Sequence, residues 1–82
     1  MKARITLYSR PGCHLCDEAR VVIEKVCADT GTTYDEVSID DDPELRERFG
    51  EEIPVTFVDG RQHDFWRVSE DRLRAALARP RR

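Results

Sequence analysis

Residues 8–16 of this 82-residue chain, Tyr-Ser-Arg-Pro-Gly-Cys-His-Leu-Cys, decide how the rest of the sequence is interpreted. Before this segment, apolar and polar residues alternate, which predicts a strand over residues 3–8. The Pro-Gly pair inside the segment favours a turn. After the turn, apolar residues recur at helical spacing from about residue 14 to 29. The segment therefore places a Cys-x-x-Cys pair where a first strand gives way to a first helix.

The first predicted helix carries a core-facing stripe. At 100° per residue, four of its apolar side chains fall within about 60° of one another. They are Leu15, Ala19, Val22 and Val26. Three further side chains lie on the edge of that stripe, namely Cys16, Ile23 and Cys27. Gly31 favours termination of the helix just beyond it.

The remainder of the chain predicts three more strands and two more helices. These are strands over 33–39, 55–58 and about 61–66, a short helix from residue 43 to about 50, and a last helix after residue 69. Asp42 is a suitable N-cap with Pro43 at the first helical position, and Ser69 is a suitable cap for the last helix. Asp59 and Gly60 favour a tight hairpin between the last two strands.

The element order is therefore β-α-β-α-β-β-α. A β-α-β start calls for a right-handed crossover and a parallel pair of strands, whereas the hairpin calls for an antiparallel pair. The fold class expected is α/β, with a mixed four-stranded sheet flanked by three helices. We expect a single domain over residues 1–82, with residues 79–82 as a frayed tail.

Composition excludes several classes of partner. Charged residues make up 38% of the chain, but the net charge is only −3, so there is no domain-wide basic field to attract nucleic acid. No apolar run approaches the length of a membrane span. The apolar stretch after the basic N-terminus is too short for a signal peptide. We expect a monomeric, cytoplasmic protein that binds neither nucleic acid nor a membrane.

The pair formed by Cys13 and Cys16 is the main candidate site. Their spacing at a helix start brings two sulfurs within disulfide reach. Cys13 faces unpaired backbone N–H groups and the positive end of the helix dipole, which stabilise a thiolate. Cys16, one turn further, is more protected and suits a resolving role. Arg10 and His14 add positive or polar neighbours.

The same pair could be half of a zinc site. A structural zinc ion needs four ligands, commonly from a second pair of residues. Cys27 lies 11 residues beyond Cys16, roughly 16 Å along the same helix, and cannot share a metal or a disulfide with it. We therefore expect no metal site and no cofactor. Pro54, which opens the third strand, is either an ordinary strand-start proline or a cis proline beside the cysteines.

Two segments resemble known families. Residues 8–16 resemble the active-site segment of glutaredoxins, and residues 53–60, Ile-Pro-Val-Thr-Phe-Val-Asp-Gly, resemble the cis-proline strand and hairpin of the thioredoxin superfamily. The element order matches over residues 3–78. The chain is most similar to short bacterial glutaredoxin-like proteins whose active site begins Gly-Cys-His-Leu-Cys.

The resemblance implies a role for each candidate residue. Cys13 would attack a disulfide, and Cys16 would resolve the mixed disulfide that results. Pro54 would be cis, and the backbone of Ile53 would pair with the substrate as an added strand. Arg10 matches the basic residue that helps glutaredoxins bind the glycine carboxylate of glutathione. The candidate substrate-binding residues are Arg10, His14, Ile53 and Pro54.

The sequence also departs from glutaredoxins. These usually carry Pro-Tyr or Pro-Phe between the cysteines, where this chain has His14 and Leu15. They carry Gly-Gly and then Asp after the hairpin, where this chain has Asp64, Phe65 and Trp66. Bulky side chains and a negative charge there should disfavour the carboxylate of glutathione.

The hypothesis is a thiol-disulfide oxidoreductase that reduces a disulfide in a protein or a low-molecular-weight compound through Cys13 and Cys16. Two alternatives remain open. The thiolates could bind a metal or an iron-sulfur cluster between two copies, as some glutaredoxin-like proteins do. The pair could also serve a redox-sensing module, whose disulfide state controls partner binding.

Overall fold

The structure, a computed structural model, describes residues 3–79. The elements are β1 (Ile5–Ser9), α1 (His14–Thr30), β2 (Tyr34–Ser38), a 3₁₀ turn (Ile39–Asp41), α2 (Pro43–Phe49), β3 (Val55–Val58), β4 (Arg61–Phe65) and α3 (Glu70–Ala78). The predicted order is confirmed, with strand ends shifted by one or two residues. The predicted frayed tail lies outside the described residues except for Arg79, whose N–H donates to the Ala76 carbonyl.

The four strands form one mixed sheet in the order β2-β1-β3-β4. β1 pairs parallel with β2 and antiparallel with β3, and β3 pairs antiparallel with β4. Tyr8 lies opposite Val55, and Val55 lies opposite Phe65. The end of β1, the start of β3 and the end of β4 therefore meet at one end of the sheet.

The buried face of α1 differs from the predicted stripe. Ala19 and Val26 are buried as expected, but Leu15 and Val22 are only half-buried. The buried residues of α1 are Cys16, Ala19, Ile23, Val26 and Cys27. Because α1 packs in one cluster with both the sheet and α3, its buried face is rotated toward the residues that sequence alone placed on the edge.

Side chains cap the helices where the sequence indicated. The Asp42 carboxylate accepts the Glu44 N–H at 2.9 Å, and the Ser69 hydroxyl accepts the Arg72 N–H at 3.3 Å. Gly31 ends α1 in the left-handed region, with φ of 69°. Within residues 3–79, no helix is long and apolar enough to cross a membrane.

Candidate active site

Cys13 occupies the N-cap position of α1. Its backbone is extended, with φ of −93° and ψ of 114°, and its Sγ accepts the Cys16 N–H at 3.3 Å. The sulfur thus takes the place of the oxygen that usually caps a helix, against the unpaired N–H groups and the positive end of the dipole. The side chain is half-buried, so a substrate can reach it.

Cys16 lies one turn along α1 in a different environment. It has no exposed surface and is a free thiol, as Cys13 is. Burial, followed by the hydrogen bond and charge of Cys13, raises the pKa of Cys16 to about 12, although a backbone hydrogen bond from Arg10 and the charge of Arg20 oppose the shift. Cys16 is therefore protonated at neutral pH. The two sulfurs are suited to different tasks.

The Ile53-Pro54 peptide bond is cis. Pro54 is buried, and its carbonyl accepts the Trp66 N–H at 2.8 Å. The N–H of Ile53 donates to the Phe49 carbonyl at 3.1 Å. An added substrate strand would therefore pair with the Ile53 carbonyl, or else displace that bond. By strand register, this loop lies at the end of the sheet from which the chain runs on to Cys13.

The structure gives Arg10 and His14 different surroundings. The Arg10 guanidinium contacts Asp40 Oδ1, with Nη2 at 3.0 Å and Nε at 3.2 Å, and both side chains are partly exposed. A substrate carboxylate would have to compete with Asp40 for Arg10. The His14 side chain is 89% exposed, and its Nε2 lies 3.8 Å from Glu18.

The sequence predicts a negative charge of Asp64 beside the glutathione position, and the structure corrects this prediction. Asp64 is buried, accepts the Ser69 N–H at 3.1 Å and pairs with the Arg72 guanidinium. The Asp64 carboxylate links β4 to α3, so its negative charge does not face a substrate. The bulky side chains of Phe65 and Trp66 remain exposed, because Trp66 leaves the strand with φ of 63°.

A polar network beside Cys16 was not found by sequence reasoning. Glu36 on β2 accepts hydrogen bonds from the Ser9 hydroxyl at 2.6 Å and from Arg20 at 2.6 and 2.8 Å. Arg20 also contacts Asp17 at 2.8 Å. The spacing of four residues between Cys16 and Arg20, which places both on one helix face, could have revealed the arginine. Nothing in the sequence revealed its partner on β2.

Among residues 3–79, no group of three or more His, Cys, Asp or Glu side chains could hold a metal ion. Cys27 lies in the hydrophobic cluster of α1, α3 and the sheet, where burial, together with the charge of Glu24, raises the pKa of its thiol. It is a buried core residue.

A cysteine pair at the start of α1, a cis proline at the start of β3 and a mixed sheet between helices define the class of protein as thioredoxin-like. The family model described as a glutaredoxin-like domain (DUF836) matches residues 4–78. The chain belongs to this glutaredoxin-like family.

Known relatives agree with this assignment. An uncharacterized protein of Mycobacterium tuberculosis is 35% identical over 85 residues, covering 95% of this chain and 86% of the relative. The X-ray structure of a structural genomics target protein from X. campestris is 38% identical, with a TM-score of 0.75 over 93% of this chain and 99% of that one. The holo form of glutaredoxin C1 from Populus tremula x tremuloides is 20% identical, with a TM-score of 0.57 over 98% and 84% of the two chains, and shares the fold.

Proposed function

We propose that this protein is a glutaredoxin-like thiol-disulfide oxidoreductase that reduces disulfides through Cys13 and Cys16. One observation carries the proposal. The Cys13 sulfur caps α1 by accepting the Cys16 N–H, while the Cys16 sulfur is buried and protonated. An accessible sulfur that accepts a helix N–H, next to a protected thiol, is the asymmetry that stepwise disulfide exchange requires.

The reaction balances as two exchanges. The Cys13 thiolate attacks one sulfur of the substrate disulfide, that bond breaks, and the departing sulfur leaves as a thiolate that takes a proton. Cys13 is then in a mixed disulfide and no longer carries the charge that helps to raise the pKa of Cys16. Cys16 loses its proton and attacks the Cys13 sulfur, which releases the second substrate thiol. The protein ends as a disulfide, and an external thiol must reduce it again.

The proposal includes the substrate class and setting. The substrate is a disulfide in a protein or a low-molecular-weight compound, and glutathione is a weaker candidate because Phe65 and Trp66 stand where glutaredoxins carry small residues. Both cysteines and Pro54 come from one chain, which favours a monomer as the working unit. The cytoplasmic location belongs to the same proposal, since three cysteines, an odd number, do not suit the disulfide framework of a small secreted domain.

A redox titration in defined thiol buffers tests the proposal. Alkylation followed by peptide mass analysis would report the three cysteines separately. We expect Cys13 and Cys16 to oxidise together as one two-electron couple, with Cys27 unchanged. Separate oxidation of the pair, or protection of both by a bound metal, would overturn the mechanism and favour the metal-binding alternative.

Three variants complete the test. Cys13→Ser should abolish disulfide reduction, and Cys16→Ser should accumulate a mixed disulfide with substrate. Cys27→Ser is the matched control and should retain activity. Full activity of Cys13→Ser would exclude Cys13 as the nucleophile. Slow turnover of every disulfide together with oxidation-dependent partner binding would instead indicate a redox-sensing module.

A further inference from the structure

Phe65 and Trp66 form an exposed pair of aromatic rings, called here the aromatic pair. The two residues are 47% and 52% exposed, and the ring centroids lie 5.0 Å apart at an interplanar angle of 70°. Consecutive residues of a regular strand point to opposite faces. Here the positive φ of Trp66 ends the strand and lets the two rings meet. Together the two rings present a sizeable apolar surface to solvent.

Hydrogen bonds fix the aromatic pair beside the cis-proline loop. The Trp66 indole N–H donates to the Glu51 carbonyl at 3.0 Å, and its backbone N–H donates to the Pro54 carbonyl at 2.8 Å. The next residue, Arg67, lies 3.8 Å from Glu18 in the first turns of α1. The Trp66 hydrogen bonds therefore fix the aromatic pair beside the cis-proline loop, and the residue that follows the pair reaches α1, the helix that Cys13 caps.

Two acidic residues adjoin the aromatic pair. Glu51 and Glu52 adjoin the loop, and neither carboxylate has an ion-pair partner among the described residues. The charge of Arg67 is balanced by Glu18. Glutathione disulfide carries a net negative charge and has little apolar surface, so it matches this environment poorly. A peptide with an apolar side chain and a basic residue near its cysteine complements both the apolar surface of the aromatic pair and the negative charge of Glu51 and Glu52.

We propose that the aromatic pair is a substrate-specificity surface. It selects disulfides within extended protein segments that carry an apolar side chain and a net positive charge next to the cysteine. The apolar side chain packs on Phe65 and Trp66, while the positive charge lies against Glu51 and Glu52. This inference rests on the proposed oxidoreductase function and names its substrate class.

The test compares specificity ratios. Two synthetic peptides with an internal disulfide would be used, one flanked by Leu and Arg and the other by Ser and Asp, together with uncharged bis(2-hydroxyethyl) disulfide. We expect the native protein to prefer the Leu/Arg peptide. In Phe65→Ala/Trp66→Ala, the ratio of kcat/KM for that peptide to kcat/KM for the small disulfide should fall about tenfold, the effect of losing an aromatic contact in an interface.

Control variants separate recognition from general damage. Val21→Ala removes another exposed apolar side chain of α1, 66% exposed and eight residues beyond Cys13, and should leave the ratio unchanged. Trp66→Phe keeps an aromatic ring at position 66, so it should retain most of the native kcat/KM ratio that the double variant loses. A ratio that does not change in the double variant, or a native protein that does not distinguish the peptides, would overturn the proposal. Failure of the native protein to reduce any of the three disulfides would instead refute the oxidoreductase function itself.

A second measurement needs no change in the aromatic pair. Trp66 is the sole tryptophan of the chain, so intrinsic tryptophan fluorescence reports on this surface alone. The mixed disulfide of Cys16→Ser with the Leu/Arg peptide should shield Trp66 from acrylamide quenching. The mixed disulfide with bis(2-hydroxyethyl) disulfide should leave quenching as it is in the free protein. Equal quenching in both adducts would contradict peptide binding at the aromatic pair.

Discussion

The thiols of Cys13 and Cys16 have different surroundings because Cys13 caps the start of α1 and Cys16 lies one turn along it. Cys13 has the backbone N–H groups of the helix start as partners, whereas Cys16 has the packed core. An N–H group that donates to the sulfur favours the charged form of a thiol, and burial favours the neutral form. The chemistry of the pair therefore follows from helix position, before any substrate binds.

This difference predicts the order of alkylation in the reduced protein. Iodoacetamide at pH 7 should modify Cys13 first, because it is accessible and capped by an N–H group. Cys16 should react more slowly by at least an order of magnitude, since it is buried and its pKa is raised to about 12. Timed quenching and peptide mass analysis would measure both rates. Modification of Cys16 ahead of Cys13 would contradict the assigned roles.

Asp64 illustrates a residue whose role depends on tertiary contacts. Asp64→Ala should lower the free energy of unfolding by about 2 kcal/mol, because the Ser69 N–H loses its acceptor and Arg72 its ion-pair partner. Urea unfolding would measure the loss. Asp35→Ala, an exposed aspartate on β2, should change stability by less than about 0.5 kcal/mol. Equal effects of the two substitutions would show that the Asp64 contacts contribute nothing.

At the scale of elements, the Arg20–Glu36 contact joins α1 to β2 next to the cysteine pair. Hydrogen bonds from Arg20, and then from Ser9, hold the pKa of Glu36 below its usual value of 4.5. A carboxylate with a lowered pKa stabilises the fold above its ordinary pKa, and this stabilisation is lost as pH falls through the lowered value. The link between the two elements is thus sensitive to acid.

Glu36→Gln should therefore destabilise the protein by about 1 kcal/mol at pH 7. The difference from the native protein should begin to shrink as pH falls below 4.5, and it should vanish below the lowered pKa of Glu36, where the native carboxylate is also neutral. Urea titrations at pH 7, 5 and 3.5 would follow the difference. Asp35→Asn on the same strand is the control and should show no such trend. A difference that stays constant with pH would mean that the charge of Glu36 is not what matters.

Local sequence predicted the elements well where a side chain acts on its own backbone. The caps at Asp42 and Ser69 lie where the sequence placed them, and Asp59 and Gly60 both take the positive φ that a tight hairpin needs. The burial of Leu15 was overestimated, because helical periodicity cannot show that α1 also packs on α3. The contacts of Trp66 could not be foreseen, since a left-handed residue ended the alternation of β4 early.

At the scale of the whole molecule, the sheet brings distant segments to one end. Cys13 follows β1, Pro54 precedes β3 and Trp66 follows β4, so one register determines their relative positions. Motif resemblance indicated the first two, because both recur at fixed places in a family. For the third it indicated only a departure from the glutaredoxin pattern at residues 64–66, without the contacts of Trp66. The contacts of Trp66, in the part of the site that would distinguish substrates, were therefore found only in the structure.

The ionisable groups of the molecule also fix its pH range of stability. Burial, and then the charge of Arg72, lowers the pKa of half-buried His63 below 6.5. Nearby Asp64, 3.9 Å away, does not reverse this shift, because it is already paired with Arg72. On the alkaline side, Cys16 and Tyr34 both have their pKa raised to about 12, chiefly by burial. A group whose pKa is lowered, such as His63, stabilises the fold above its ordinary pKa. Groups whose pKa is raised, such as Cys16 and Tyr34, stabilise the fold below theirs.

The free energy of unfolding of the reduced protein should therefore be greatest between about pH 6.5 and 9, the ordinary values for His63 and Cys16. It should fall below that window as the unfolded chain takes up a proton at His63, and above it as the unfolded chain releases one from Cys16. Urea unfolding from pH 5 to 10 would trace the profile. His63→Gln should flatten the acid limb between pH 6.5 and 5 and leave the alkaline limb in place. An unchanged acid limb in that variant would show that His63 is not the group responsible.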